Sequence, residues 1–266
     1  MNGKRSVDVG TKNERSLEGV KMKIFSYNLH FGGKTGLGNH WQKLIAEFDP
    51  DIIFAQESFD PNQYFRNGQI SHPKSFLWEP VEGRKWGSAI VTPRHQIEPV
   101  ELDEFGGWVI GGRISNVMIG GISQSVMVFS IHAPSPGPYE PAVSKILDAI
   151  AKRWDGTPLI IGGDFNLTTA IRHQSELTLS SNTVGERKIL QRLRTQFGLL
   201  NAWQALHPNE NLPQTLRWNR DPVPAYHCDA IFVSHSHLPH LLDASIESGG
   251  EWTTLSDHNP VVTTLA

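Results

Sequence analysis

The chain has 266 residues, a formal net charge of -3, 38% hydrophobic residues and a single cysteine, Cys228. That is enough apolar surface to bury a core, which excludes wholesale disorder. One cysteine excludes an intrachain disulfide framework and leads us to expect a reducing, cytoplasmic setting. The mild negative charge excludes a globally basic polyanion binder, and no run is long and apolar enough to span a bilayer.

Residues 1–21 are polar, mixed in charge and without a hydrophobic period, so they read as a tail outside a single domain expected over 22–266. The fold opens with a β-prone run from Met22 to Leu29, followed by the Gly-rich loop Gly32 to Gly38. Trp41, Leu44, Ile45 and Phe48 recur at helical spacing, with Asn39 suited to the N-cap and Asp49-Pro50 ending the helix. A buried strand follows from Asp51 to Gln56. Further strands are predicted over Ser88 to Thr92, Val109 to Ile114, Ser125 to Ile131, Leu159 to Gly162, Ala230 to Ser234 and Val261 to Leu265. Two more helices are predicted, Pro141 to Trp154 and Gly185 to Phe197, each with an apolar stripe. Interleaved strands and helices imply an α/β architecture and leave strand direction open.

Residues able to bind a metal or move a proton recur just past the strands, where several strands can deliver side chains into one cleft. The clusters are Tyr27-Asn28, Gln56-Glu57, His132-Ala133-Pro134, Gly162-Gly163-Asp164-Phe165-Asn166 and Ser256-Asp257-His258-Asn259-Pro260. A sixth, His227-Cys228-Asp229, precedes its strand. A single acid at a strand end is usually a turn former or a cap, but turns alone do not account for six such clusters.

In order and content these clusters resemble the signatures of the endonuclease/exonuclease/phosphatase superfamily, which includes exonuclease III-like and DNase I-like enzymes, sphingomyelinases and inositol polyphosphate phosphatases. The match is most specific in Gly163-Asp164-Phe165-Asn166 and Ser256-Asp257-His258, good in Gln56-Glu57, and looser at Tyr27-Asn28 and Cys228-Asp229. The resemblance implies a four-layer sandwich, two face-to-face, mainly antiparallel sheets flanked by helices, and a metal-dependent hydrolase of phosphate esters.

The residues themselves suit that chemistry. Hydrolysis of a phosphate ester needs charge neutralised on the phosphoryl oxygens, a water activated and a leaving oxygen stabilised. Glu57, helped by the Asn28 carbonyl, offers hard oxygen donors for Mg2+, with Mn2+ as a possible substitute. Asp164 can orient or deprotonate the water, and Asn166, expected two residues on in an extended segment, would donate to a phosphoryl oxygen. By resemblance, His258 contacts the scissile phosphate, Asp229 orients its ring, and Asp257 supports the metal or the water network. His132 stands where DNase I-like and sphingomyelinase-like members carry histidine and apurinic endonucleases carry tyrosine. It could protonate the leaving oxygen.

Nucleic acid is the expected substrate, and no feature points to an obligate protein partner. The candidate contacts are Arg84, Lys85 and Trp86, then Arg172, Arg192 and Arg194 in a stretch where five basic residues oppose two acidic ones, and Trp218 with Arg217 and Arg220. A small-molecule or lipid-headgroup ester is the alternative. Against its specialised forms, Ala230 follows Asp229 where inositol phosphatases carry arginine, and Pro134 stands where sphingomyelinases carry glutamine. His235, His237 and His240 have neither helical i, i+4 spacing nor an acid or cysteine to complete a zinc set, and are expected in a solvated loop.

Overall fold

The first half of the chain runs β1 (Met22–Asn28), α1 (Asn39–Phe48), β2 (Ile52–Ser58), α2 (Asn62–Phe65), β3 (Ser75–Pro80), β4 (Gly87–Thr92), β5 (Ile97–Val100), β6 (Val109–Ile119) and β7 (Ile122–His132). The second half runs α3 (Tyr139–Arg153), β8 (Leu159–Asp164), α4 (Val184–Phe197), β9 (Leu199–Asn201), α5 (Ala202–Leu206), β10 (Asp229–Ser234), β11 (Leu241–Ile246), α6 (Trp252–Leu255) and β12 (Val261–Leu265). This is a computed structural model, and it describes residues 21–32, 39–65, 73–134, 137–172, 182–217 and 226–266. Residues 1–20 of the expected tail, residues 33–38 of the glycine-rich loop, Trp218 and Arg220 lie outside the described residues.

The strands form two six-stranded sheets, ordered β11-β12-β1-β2-β4-β3 and β5-β6-β7-β8-β10-β9. Each has one parallel pair, β1 with β2 and β7 with β8, and every other pairing is antiparallel. A helix lies in sequence between the strands of each parallel pair, α1 in the first sheet and α3 in the second, as a parallel connection requires.

Side-chain alternation decides what each face meets. Ile24, Ile52, Phe54 and Ile90 of the first sheet and Ile114, Val126, Val128, Ile160, Ile231 and Val233 of the second share one buried cluster between the sheets. On the outer face of the first sheet, Phe25, Tyr27 and Ile53 pack against Trp41 and Leu44 of α1 and Trp252 of α6. On the outer face of the second, Met127, Phe129 and Ile161 pack against α3 and α4 through Ile146, Ile150, Ile189 and Leu193. The result is the expected four-layer sandwich.

Gly162 and Gly163 permit two close approaches just before Asp164. A Cβ on Gly162 would fall 2.3 Å from the Phe54 ring of the facing sheet, and one on Gly163 would fall 1.9 Å from the Ile131 carbonyl oxygen of the neighbouring strand. Gly163→Ala is therefore expected to cost at least ~2 kcal/mol, because the obstruction is backbone that cannot rotate away. A denaturant melt that matches wild type would contradict this.

The histidine trio is not a solvated loop. It forms a 3-10 helix, His235–His240, with His237 buried. The three rings do not converge as a metal set among the described residues.

Candidate active site

Strand parity and register assemble most of the site. Along β1 the even positions face the other sheet, so Asn28 ends the strand at the inter-sheet mouth. In the second sheet His132 pairs with Asp164, and Asp164 pairs with Asp229, which places the three side by side across β7, β8 and β10. The Asn28 amide nitrogen bridges the sheets, donating to Asp164 Oδ2 at 3.1 Å and to Glu57 Oε1 at 3.4 Å. Its amide oxygen accepts from the His30 backbone N–H, so nitrogen rather than oxygen faces the carboxylates. Gln56 acts beside this bridge, donating to Ser130 Oγ of the other sheet at 3.1 Å.

Glu57 breaks the parity of its strand. The β2–β4 register shifts between Ala55 and Ser58, and Glu57 lies at φ 52°. A bulge with a left-handed residue re-aims a side chain, and here it puts the Glu57 carboxylate 3.8 Å from His132 Nε2. Its Oε2 is buried with no hydrogen-bond partner. Burial raises the Glu57 pKa above the ordinary carboxylate value, against the opposing charge of His258 and the Asn28 hydrogen bond.

Asp164 is the hub. It lies 3.9 Å from His132 Nε2 and 3.8 Å from His258 Nε2, and its Oδ1 accepts from the Asn166 backbone N–H at 2.9 Å. Burial and the neighbouring Asp229 charge raise its pKa. Asn166 is not extended. It sits at φ 52° in a tight turn, its amide donating to the Ala133 carbonyl, so it holds the Asp164 loop.

His258 Nδ1 donates to Asp229 Oδ2 at 2.9 Å. Burial alone would lower its pKa, but the charges of Asp229 and Asp164 and the Asp229 hydrogen bond outweigh burial and raise it to about 10. His132 takes the opposite course, with burial lowering it to about 4. The proton at neutral pH thus resides on His258, not on His132. Asp257 is half-exposed and pairs with His30 Nδ1 at 3.0 Å.

The structure gives supporting roles to Ser256 and Arg217 that sequence reading did not assign, and adds Thr215 and Trp108, which it did not single out. Ser256 Oγ donates to the Asn28 carbonyl and accepts from the His258 N–H, tying the loop before β12 to the end of β1. Thr215 Oγ1 accepts the backbone N–H groups of Cys228 and Asp229. Arg217, expected as a substrate contact, instead binds the Asn259 side chain and the carbonyls of Trp252, Ser256 and His258. Trp108 lies against His132 with ring centroids 5.0 Å apart. Thr215 and Trp108 carry no local pattern, since each acts on a partner distant in sequence.

The expected substrate contacts divide. Trp86 is at the site, its ring 5.7 Å from that of His132, and Arg84 and Lys85 are exposed in the turn before it. Arg172 is bonded to Thr168 in the loop after Asp164. Arg192 and Arg194 lie on α4 in the outer helix layer, where Arg192 is committed to Ser144 and Asp148 of α3. That pairing replaces the expected phosphate contact for Arg192.

A four-layer sandwich with buried acids and histidines at one inter-sheet mouth is matched by a family of enzymes that hydrolyse phosphate esters. A model of the Endonuclease/Exonuclease/phosphatase family matches residues 25–258, and the chain belongs to that family. A sequence search of curated proteins finds no significant match. Among solved structures, a point variant of the 3' phosphatase NExo from Neisseria, bound to product DNA hairpin, is similar at 19% identity and TM-score 0.67, covering 92% of this chain and 99% of that one. An AP endonuclease from Archaeoglobus fulgidus is similar at 18% identity and TM-score 0.66, with the same coverage. The endonuclease domain of TRAS1, a telomere-specific non-LTR retrotransposon, is similar at 16% identity and TM-score 0.64, covering 92% and 98%. Among the described residues no helix is long and apolar enough to cross a membrane.

Proposed function

We propose that residues 22–266 form one catalytic domain, a Mg2+-dependent phosphodiesterase acting on nucleic acid, with Mn2+ able to substitute. The observation that carries this reading is the pair Glu57 and Asp164, one acid from each sheet, Asp164 buried and Glu57 partly so, both bonded to Asn28 and both faced by histidine.

An orphaned buried carboxylate oxygen on Glu57 has the donor chemistry of a hard-cation site. Among the described residues, the closest convergence of potential ligand atoms, within 4.8 Å, is Asp164, Cys228, Asp229 and His258. Asp229 already pairs with His258, and burial holds the Cys228 thiol well above its ordinary pKa, so that set suits Mg2+ less well than the oxygens of Glu57 and Asp164. Glu57 would hold the ion, assisted by Asp257 and by Asn28, whose terminal amide can rotate to present oxygen. When bound, the metal neutralises charge on the phosphoryl oxygens.

Asp164 takes the proton of the attacking water. His258, cationic and held by Asp229, donates to a phosphoryl oxygen and stabilises the charge that develops there. Asn166 keeps Asp164 in place through its backbone N–H. His132, neutral at pH 7, donates a hydrogen bond instead of supplying a ready proton, which revises its expected role.

Nucleic acid is favoured over a small or lipid ester by Arg84, Lys85 and Trp86 beside the site, and by similar structures that are named for DNA-processing enzymes. Arg172 remains a candidate phosphate contact. Cys228 is a buried free thiol, which suits the reducing, cytoplasmic setting.

The test is an assay on single-stranded and duplex DNA, RNA, an abasic duplex and bis-p-nitrophenyl phosphate, first in excess EDTA and then with Mg2+ or Mn2+ restored. Turnover should vanish on chelation and return with metal, without a large preference for the abasic duplex. Hydrolysis that persists in EDTA sinks the proposal.

A further inference from the structure

We infer that Phe31, Trp86 and Trp108 form a stacking platform for an unpaired nucleobase next to the scissile phosphate, an inference that rests on the nuclease reading and names the part of the substrate it grips. The three rings and His132 touch in sequence. Phe31 meets Trp86 at 5.5 Å between centroids, Trp86 meets Trp108 at 5.6 Å, and both tryptophans meet His132. The interplanar angles of 64° and 86° are edge-to-face, so none of the three is consumed in a parallel stack with another.

Phe31 is 45% exposed, although it is a large apolar side chain beside a buried catalytic cluster. It is held there by an unfavourable backbone, since His30 at φ 48° and Phe31 at φ 57° are consecutive non-glycine residues in the left-handed region. That turn sends His30 to Asp257 at 3.0 Å and Phe31 over Trp86, so one strained feature serves both the acid cluster and the aromatic corner. Strain that holds a hydrophobic ring in solvent is not explained by packing.

The corner ends on His132, whose Nε2 is 3.8 Å from Glu57 and 3.9 Å from Asp164, so whatever covers the rings is attached close to the phosphate. Arg84 and Lys85 are exposed in the turn immediately before Trp86. Aromatic faces beside cations are the chemistry of single-strand binding. A base must leave its duplex stack to lie on such a platform, so single-stranded or frayed ends should be preferred to paired interiors.

The test compares a short homothymidine strand with a strand of equal length in which every base is replaced by a tetrahydrofuran abasic residue. Binding is measured by fluorescence anisotropy in EDTA, and kcat/KM in Mg2+. Wild type should bind the base-bearing strand about tenfold more tightly, Phe31→Ala should erase that difference while leaving abasic binding alone, and Phe31→Tyr should keep it. Equal binding of the two strands by wild type, or an equal loss on both in Phe31→Ala, overturns the platform even if Mg2+-dependent hydrolysis is intact. Base discrimination without any metal-dependent hydrolysis would leave the platform standing and remove the hydrolase reading. If Phe31→Ala weakens binding to phosphatidylcholine vesicles and not to the strands, the corner serves a lipid and the inference is wrong.

Discussion

Asp164→Asn is expected to lower kcat on an oligonucleotide in Mg2+ by about a thousandfold, within the range that a positioned base contributes, while the thermal midpoint stays level or rises. The two outcomes have the same cause. Burial and the adjacent Asp229 raise the Asp164 pKa, which means that its ionised form is held at a cost to the fold. Asparagine has the same shape and keeps an oxygen for the Asn166 N–H, so the turn after β8 survives while the proton acceptor is lost. Steady-state kinetics paired with a thermal melt would separate these effects. An active Asp164→Asn protein, or one that is inactive only because it unfolds, would refute the assignment.

Glu57→Gln is expected to reduce kcat by at least about a hundredfold and to abolish stabilisation by Mg2+. In the wild type, a ligand that binds only the folded state raises stability with concentration, by about 2.7 kcal/mol at a hundred times its dissociation constant. Differential scanning fluorimetry across a Mg2+ titration reads this without any substrate. The pH dependence has a definite sign. Burial holds the Glu57 carboxyl above its ordinary pKa, so it keeps its proton to higher pH, and Mg2+ must displace that proton to bind. Metal-induced stabilisation should therefore weaken as pH falls through the acidic range and strengthen as pH rises. A Mg2+-dependent rise in Glu57→Gln equal to that of the wild type would place the ion elsewhere.

The eight strands legible in the sequence, β1, β2, β4, β6, β7, β8, β10 and β12, are the eight interior strands of the two sheets. The four that were not, β3, β5, β9 and β11, are the four edges. An interior strand is buried along most of its length and announces itself as an apolar run, as in β4, whose six residues are all buried. An edge strand is half in solvent, as in β11 with its exposed Leu242 and Asp243, and its pairing is supplied by a neighbour rather than by its own composition. The helices were legible for a related reason. The stripes of α1, α3 and α4 face a sheet, and their ends shifted only slightly, α4 beginning on a Thr183–Glu186 capping box one residue before the expected start.

The candidate site divides along the same line. Residue types at the strand ends marked Asn28, His132, Asp164 and Asp229 as candidates, and strand alternation together with the observed register brings them to one mouth. Sequence also determined the family signature in Gly163-Asp164-Phe165-Asn166 and Ser256-Asp257-His258. Only the tertiary structure decided what departs from counting. It decided that a bulge turns Glu57 inward against parity, and that Asn166 curls back beneath Asp164. It decided that Arg192 answers to α3 and Arg217 to the loop before β12, and that His258 rather than His132 carries the proton. In each case the outcome depends on a partner distant in sequence, or on the field of several buried charges at once, and neither is written in any local stretch of the chain.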